Sequence, residues 1–519
     1  MRRIQVAAIS LVAIVATMGL ASASSASVQS CAVRNNNTHA KLQQCVTLEG
    51  ARAHQAALQA IADANGSTRV SGSPGYDLSV EYAESVLEAA GYTVTVQPFQ
   101  FQTFITLSPT ILEQVSPTPS GPVANTILSY SGSGDVTAPV SVPSGDFRGC
   151  TAADFAGFPA GNIALISRGA PAGFPVACTF ALKATNAYNA GASGVVIYNN
   201  ATGVINGTLG NDFSLNLPVT SVTQAIGQQL AATPGLVMRL KADTFRGQAT
   251  SYNVLAESST GNPNNVVMVG AHLDSVNAGP GIQDNGSGSA AILEVAEQMA
   301  KVKPYNKVRF ALWGAEESGL VGSSYYVNNL SQAERDKIAL YLNFDMIGSP
   351  NHVFLVYDGD DSDATGAPAG PDGSAEIEKT FERFYTARGL PFKGTDFSGR
   401  SDYGPFIAAG VDIPAGGLFT GAEGIKTAAE VALWGGTAGV QYDPCYHLAC
   451  DTFANINAAA FDVNTDAVAY STLQYGMTTV DVNGVPGNPD FETFGPAVGP
   501  VAGGSSQGGL HDDHERLGD

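Results

Sequence analysis

Four short blocks carry side chains that could do chemistry. Ala271-His272-Leu273-Asp274 sets an imidazole two residues before a carboxylate. Gly279–Gly288 is glycine-rich and holds Asp284. Gly314-Ala315-Glu316-Glu317 ends in adjacent carboxylates, and Asn343-Phe344-Asp345-Met346 supplies one more. Singly, each has a plain structural use: His272 as a hydrogen-bonded core residue, Asp284 and Asp345 as turn or cap residues, Glu316-Glu317 as a solvated pair. Gathered at one place they would repel, and burying an uncompensated carboxylate costs several kcal/mol. A pair of divalent cations removes that cost. Imidazole and carboxylate without thiolate suit Zn²⁺, with Mn²⁺ or Co²⁺ as substitutes. Two such ions about 3.5–4 Å apart form a hydrolytic clamp on a carbonyl and a shared water. The clamp needs a bridging carboxylate, for which Asp284 on its tight loop is the candidate. It also needs one carboxylate free to carry protons. Glu316 and Glu317 are adjacent and diverge, so one can bind metal while the other acts as base.

The elements that must position these blocks are legible as apolar runs. Val266–Val269, Val308–Trp313 and Ile338–Phe344 are short and continuous, as in strands buried on both faces, and each ends in one of the blocks. Val353–Tyr357 reads as a fourth strand. Helical spacing at Ser289–Lys301, Leu320–Leu330 and Ser374–Arg388 alternates with them. The expected fold class is α/β: an open, mostly parallel, mixed sheet flanked by helices, with ligands at the carboxyl ends of its strands. Upstream, Arg52–Ala64 and Ser79–Ala90 read as helices and Thr93–Val96 as a strand. From 123 to 245 the composition shifts to Pro, Gly, Ser and Thr. Short β-type runs, Ile163–Ile166 and Val195–Tyr198, flank a helical stretch at Phe180–Ala190, which predicts a small inserted domain.

The chain of 519 residues exceeds one compact core. With 25 basic against 46 acidic residues, nucleic acid and anionic membranes are excluded as expected partners. Arg2-Arg3, the apolar run Val6–Leu20 and Ala21-Ser22-Ala23 read as an export signal, and no later run is long and apolar enough to span a membrane. The expected location is secreted and extracellular, with the periplasm or a vacuole as alternatives, and the expected state is a monomer. Six cysteines in an exported chain predict disulfides. They fall into three local pairs: Cys31 with Cys45, Cys150 with Cys178, and Cys445 with Cys450. The Gly/Pro/Ser-rich end reads as a disordered tail.

These blocks resemble the double-zinc aminopeptidases, the leucine and vacuolar aminopeptidase type, strongly over about 250–475 and weakly over 50–100. Ser398-Gly399-Arg400-Ser401-Asp402, Gly417–Gly421 and Cys445-Tyr446-His447-Leu448-Ala449-Cys450-Asp451 extend the match. The resemblance implies two Zn²⁺ per chain. His272 and Asp345 would hold one, Glu317 and His447 the other, and Asp284 would bridge. It also implies Glu316 as general base and Tyr446 as oxyanion donor. Asp274 would accept a hydrogen bond from His272, and the Asp284–Asn285 peptide would be cis. Met346, Arg400 and Phe419 fall at substrate-pocket positions, and Cys445 and Cys450 would clamp the loop of Tyr446 and His447. The insert resembles a protease-associated domain through Gly161–Gly169 and Gly191–Tyr198. The domain plan is a signal peptide over 1–23, an N-terminal segment or propeptide over 24–46, the zinc peptidase domain over 47–122 and 246–482, the protease-associated domain over 123–245, and the tail over 483–519.

The function implied is removal of N-terminal, preferably apolar, residues from peptides. Relatives of the same fold include carboxypeptidases, single-zinc glutaminyl cyclases and non-catalytic receptors. Arg400 is the only basic residue in the matching pocket segments, against the cluster a terminal carboxylate would require. The receptors have lost ligands that are all present here.

Overall fold

The computed structural model describes residues 31, 33–174, 177–205, 207–364 and 366–493. The expected signal peptide and residues 494–519 of the expected tail lie outside them. Strands β1 (Thr93–Ser116), β2 (Gly134–Ser141), β3 (Ile163–Ser167), β4 (Gly194–Tyr198), β5 (Val219–Val222), β6 (Val237–Glu257), β7 (Asn262–His272), β8 (Asn306–Trp313), β9 (Ile338–Phe344), β10 (Leu355–Tyr357), β11 (Lys393–Thr395) and β12 (Ala415–Phe419) join in one hydrogen-bonded array. Its order is β11-β10-β12-β9-β7-β8-β6-β2-β3-β4-β5.

The four central strands β8, β7, β9 and β12 are mutually parallel, while β6 and β10 pair antiparallel at either side. The expected mixed, mostly parallel sheet is therefore found. Its apolar runs are continuous because both faces are covered. Val267, Val269, Val308, Phe310, Leu340 and Leu342 pack into a core with helices α1 (His39–Cys45), α2 (Leu48–Ala64), α3 (Pro74–Ala89), α6 (Gly286–Met299), α8 (Ser374–Ala387) and α9 (Ala458–Met477). Met268, Trp313 and Tyr341, on the opposite face, pack with Tyr326 and Val327 of helix α7 (Val321–Asn328) and with Phe406. Parallel strands end on the same side, so His272, Trp313, Phe344 and Phe419 mark one edge.

Helix α6 begins earlier than its apolar spacing suggests, because Asn285 caps it by accepting from Gly288 N at 2.9 Å. A Cβ on Gly288 would lie 2.0 Å from the carbonyl oxygen of Phe344, so only glycine lets this helix start against the end of β9.

The inserted segment forms parallel β2-β3-β4-β5 with helices α4 (Phe180–Asn189) and α5 (Gln224–Ala231) beside it. It is not set off by linkers. Strands β1 and β6 pair antiparallel along nearly their whole length, from Thr93 with Glu257 to Ser116 with Val237. Strand β6 also pairs β8 at one end and β2 at the other, passing unbroken through residues 245 and 246. Downstream of 482 the chain is still packed: Phe491 lies against the main core, with its ring 5.3 Å from that of His39. The three expected cysteine pairs are disulfides.

Candidate metal centre

The edge defined by the parallel strands gathers the four sequence blocks. Strand β7 ends in His272, and the glycine-rich stretch after it carries Asp284, whose peptide bond to Asn285 is cis. The turn after β8 carries Glu316 and Glu317, and the turn after β9 carries Asp345. Ala315, Met346 and His447 hold left-handed φ angles of 54°, 51° and 58°. Such backbone costs non-glycine residues of order 1–3 kcal/mol, and here it aims or directly presents the acidic and imidazole groups.

Asp284 occupies the middle. Its Oδ1 lies 3.2 Å from His272 Nε2, and its Oδ2 lies 3.1 Å from His447 Nε2. Asp345 Oδ1 is 3.4 Å from His272 Nε2, and Glu317 Oε2 is 3.0 Å from His447 Nε2. Three sets of donor atoms each lie within 4.8 Å, His272–Asp284–Asp345, Asp284–Glu317–His447 and His272–Glu316–Glu317, with Asp284 common to the first two. Glu316 Oε2 stands further off, 3.9 Å from His272 Nε2.

A cation fits these residues. Asp345 Oδ1 and Glu317 Oε1 are buried with no hydrogen-bond partner among the described residues. The donors are imidazole and carboxylate throughout, the set that zinc accepts. Without cations the carboxylates impose their field on the imidazoles. Burial opposes the charge on His447, but Glu317 and Asp284 raise its pKa to about 11. His272 is raised against the same opposition by Glu316 and Asp345. Burial is the first cause lifting Glu317 to about 7, and it lifts Glu316 well above the usual carboxylate range, helped by Asp402, Glu317 and Asp345.

The comparisons with known proteins follow this geometry. Residues 253–472 match the model of peptidase family M28, and residues 136–230 match that of the PA domain. An aminopeptidase of Pseudomonas aeruginosa (strain PAO1) is 48% identical over 437 residues, covering 81% of this chain and 80% of its own. The chain belongs to peptidase family M28. Leucine aminopeptidase 2 of Trichophyton rubrum is 40% identical over 457 residues, covering 87% and 88% of the two chains. The solved zinc aminopeptidase of Bacillus subtilis superposes with a TM-score of 0.59 at 26% identity, covering 82% of this chain and 94% of that one.

The remaining candidate residues of this M28 chain surround the same centre. His272 Nδ1 faces the backbone oxygen of Asp274 at 3.2 Å, while the Asp274 carboxylate, at 3.6 Å, accepts instead from Glu316 N at 3.2 Å. A cleft of about 950 Å³ opens over the centre, lined by Met346, Phe419, Leu355, Tyr357, Arg400 and Tyr446. The Tyr446 ring stacks on His447 at 3.8 Å, and its hydroxyl accepts from Arg400 Nη2 at 3.3 Å. Arg400 is in turn tied to Glu423 Oε1 at 2.7 Å.

Sequence reasoning gave no role to four residues that meet the site. Ser401 donates to Asp345 Oδ2 at 2.6 Å. Asp402 is buried beneath the centre, with burial and Asp345 among the causes raising it to about 7. Arg69 and Asp451 hold the backbone of the glycine-rich stretch. Ser401, Asp402 and Asp451 fall inside quoted blocks, but nothing in their spacing marks a partner. Arg69 stands alone in the sequence.

Proposed function

We propose that this M28 chain is a zinc aminopeptidase that hydrolyses the first peptide bond of substrates with a free N-terminus, with two zinc sites that would share Asp284. The observation that carries the reading is the division of the two Asp284 oxygens between His272 and His447. His272 and Asp345 would hold one ion, and Glu317 and His447 the other. Zinc held there would polarise the scissile carbonyl and lower the pKa of a bound water.

Glu316 is buried at the cleft floor, with Oε2 3.9 Å from His272 Nε2, where a carboxylate can accept and return a proton. It takes the proton of the attacking water and delivers it to the leaving amine. The Tyr446 hydroxyl is placed to donate to the carbonyl oxygen as it gains charge. Glu316 and Asp345 attract the substrate's terminal ammonium and so set which peptide bond reaches the centre. Met346, Leu355 and Phe419 give the first side chain an apolar surface, favouring Leu, Met or Phe. Arg400 is occupied by Glu423 and Tyr446, which disfavours a seat for a terminal carboxylate.

Export fits the leader-like residues 1–23 and the three disulfides. No helix among the described residues is long and apolar enough to cross a membrane.

One peptide in three forms tests the activity. The free and C-amidated forms are expected to be cut and the N-acetylated form spared. Cleavage of the acetylated form overturns the aminopeptidase reading, and loss on C-amidation alone favours a carboxypeptidase.

A further inference from the structure

The stretch presenting Asp284 has few side chains of its own with which to hold a shape. Its backbone is held from outside, by two fully or almost fully buried side chains, Arg69 and Asp451. Arg69 donates to the carbonyl oxygens of Leu273, Pro280 and Gly281, the contact to Pro280 spanning 2.9 Å. Asp451 takes the amides on the other side: Gln283 N donates to its Oδ1 at 2.8 Å and Asp284 N to its Oδ2 at 3.0 Å. A carboxylate gripping two successive N–H groups fixes the peptide plane that enters Asp284, and with it the direction of the Asp284 side chain.

Asp451 also belongs to the loop that carries His447. The Cys445–Cys450 disulfide closes that loop, and Asn455 ties Asp451 Oδ1 to Asp443, which accepts from Cys445 N at 2.8 Å. The loop lies directly on the glycine-rich stretch, for a Cβ on Gly279 would meet the carbonyl oxygen of Leu448 at 2.4 Å. One closed loop thus presents His447 and, four residues later, grips the backbone of the residue whose oxygens stand between the two histidines.

We infer that Asp451 is a positioning residue that sets the bridging carboxylate of Asp284 and locks its placement to that of His447. The inference rests on the two-metal reading above. Each Asp451 oxygen accepts one of the two N–H groups, and an amide in its place keeps the shape but offers only one acceptor oxygen for two donors.

The test compares wild type, Asp451→Asn and a remote destabilised variant, Leu230→Ala in the inserted domain, each stripped and titrated with Co²⁺ against a competing chelator. Asp451→Asn is expected to bind Co²⁺ about 10–100-fold more weakly, as outer-shell changes do. Its visible absorption spectrum at full loading should be altered, and kcat should fall at least tenfold (about 1.4 kcal/mol) with KM within about twofold. Leu230→Ala should keep the wild-type affinity and spectrum even as it melts earlier. Wild-type affinity and spectrum in Asp451→Asn overturn the inference, as does an equal loss in Leu230→Ala. A wild type that takes up no metal or cuts no peptide would instead overturn the function proposed above.

Discussion

Ser401 Oγ donates to Asp345 Oδ2 at 2.6 Å, and this contact decides which oxygen of Asp345 faces His272. The serine is itself held from the core. Asn343 Nδ2 donates to Ser401 Oγ at 2.9 Å, Tyr341 donates to Asn343 at 3.0 Å, and Trp313 Nε1 donates to Tyr341 at 2.8 Å. Oδ1 is left buried without a hydrogen-bond partner among the described residues. Replacing Ser401 with alanine frees the carboxylate to rotate. Zinc affinity is expected to fall about 10–100-fold while the fold is kept, read by competition with a chromophoric chelator and by circular dichroism.

The two adjacent glutamates are expected to fail differently. Glu316→Gln keeps the shape but cannot take a proton, so kcat should drop about 10²–10⁴-fold with zinc retained. Glu317→Ala removes an atom 3.0 Å from His447 Nε2 and should lose metal. Elemental analysis beside steady-state kinetics separates the outcomes. Near-normal kcat in Glu316→Gln reverses the assignment.

Active enzyme is expected to carry two zinc ions per chain and to lose activity to chelators. Metal uptake should also release protons. In the metal-free protein the surrounding carboxylates raise the pKa of His272 and push that of His447 up to about 11. A metal ligand must be the neutral imidazole, so each ion displaces protons, and affinity declines as pH falls and protons compete. Calorimetric titration in two buffers of different ionisation heat measures the release. No release near pH 7 would contradict the ligand set.

His39 is expected to make the N-terminal segment acid-labile. Its ring stacks on Tyr470 at 4.2 Å and bonds Gln474 at 3.2 Å, and burial lowers its pKa to about 4. A histidine depressed in the folded state binds its proton more readily when unfolded. The stability it contributes is therefore present above its ordinary pKa of 6.5 and is lost as pH falls towards 4. At the low end the loss amounts to about 3 kcal/mol at most. His39→Phe should flatten the fall in melting temperature between pH 6.5 and 4; an unchanged slope would show that other groups govern it.

Much of the centre could be read from the chain because its groups sit directly behind strands buried on both faces. Such strands are uninterrupted apolar runs, and being parallel they deliver His272, Glu316, Glu317 and Asp345 to one edge. The division of work between Glu316 and Glu317 was not readable from spacing, since it depends on which turn direction brings a carboxylate to His447. Arg69 and Asp451 escaped because they act on backbone atoms far away in sequence, and backbone partners leave no pattern of residue types. The long strands β1 and β6 escaped too, apart from Thr93–Val96. They are half-buried and polar over much of their length, so neither apolar continuity nor clean alternation marks them.

Those two strands make the inserted domain an extension of the catalytic sheet rather than a body on a tether. A flexible linker would let it rotate freely between separate open and shut positions. A hydrogen-bonded ribbon stores energy when it twists and returns when released, so it behaves as a leaf spring of small travel. Its pairing slips between Thr106 and Ser108, between Ser108 and Ile111 and between Gln114 and Ser116, where bulges bend and twist the ribbon. Thr106 N is also anchored there to Asn277 Oδ1 at 3.2 Å, on the segment leading from His272 to Asp284. The ribbon that carries the inserted domain is thereby pinned to the root of the loop that presents Asp284.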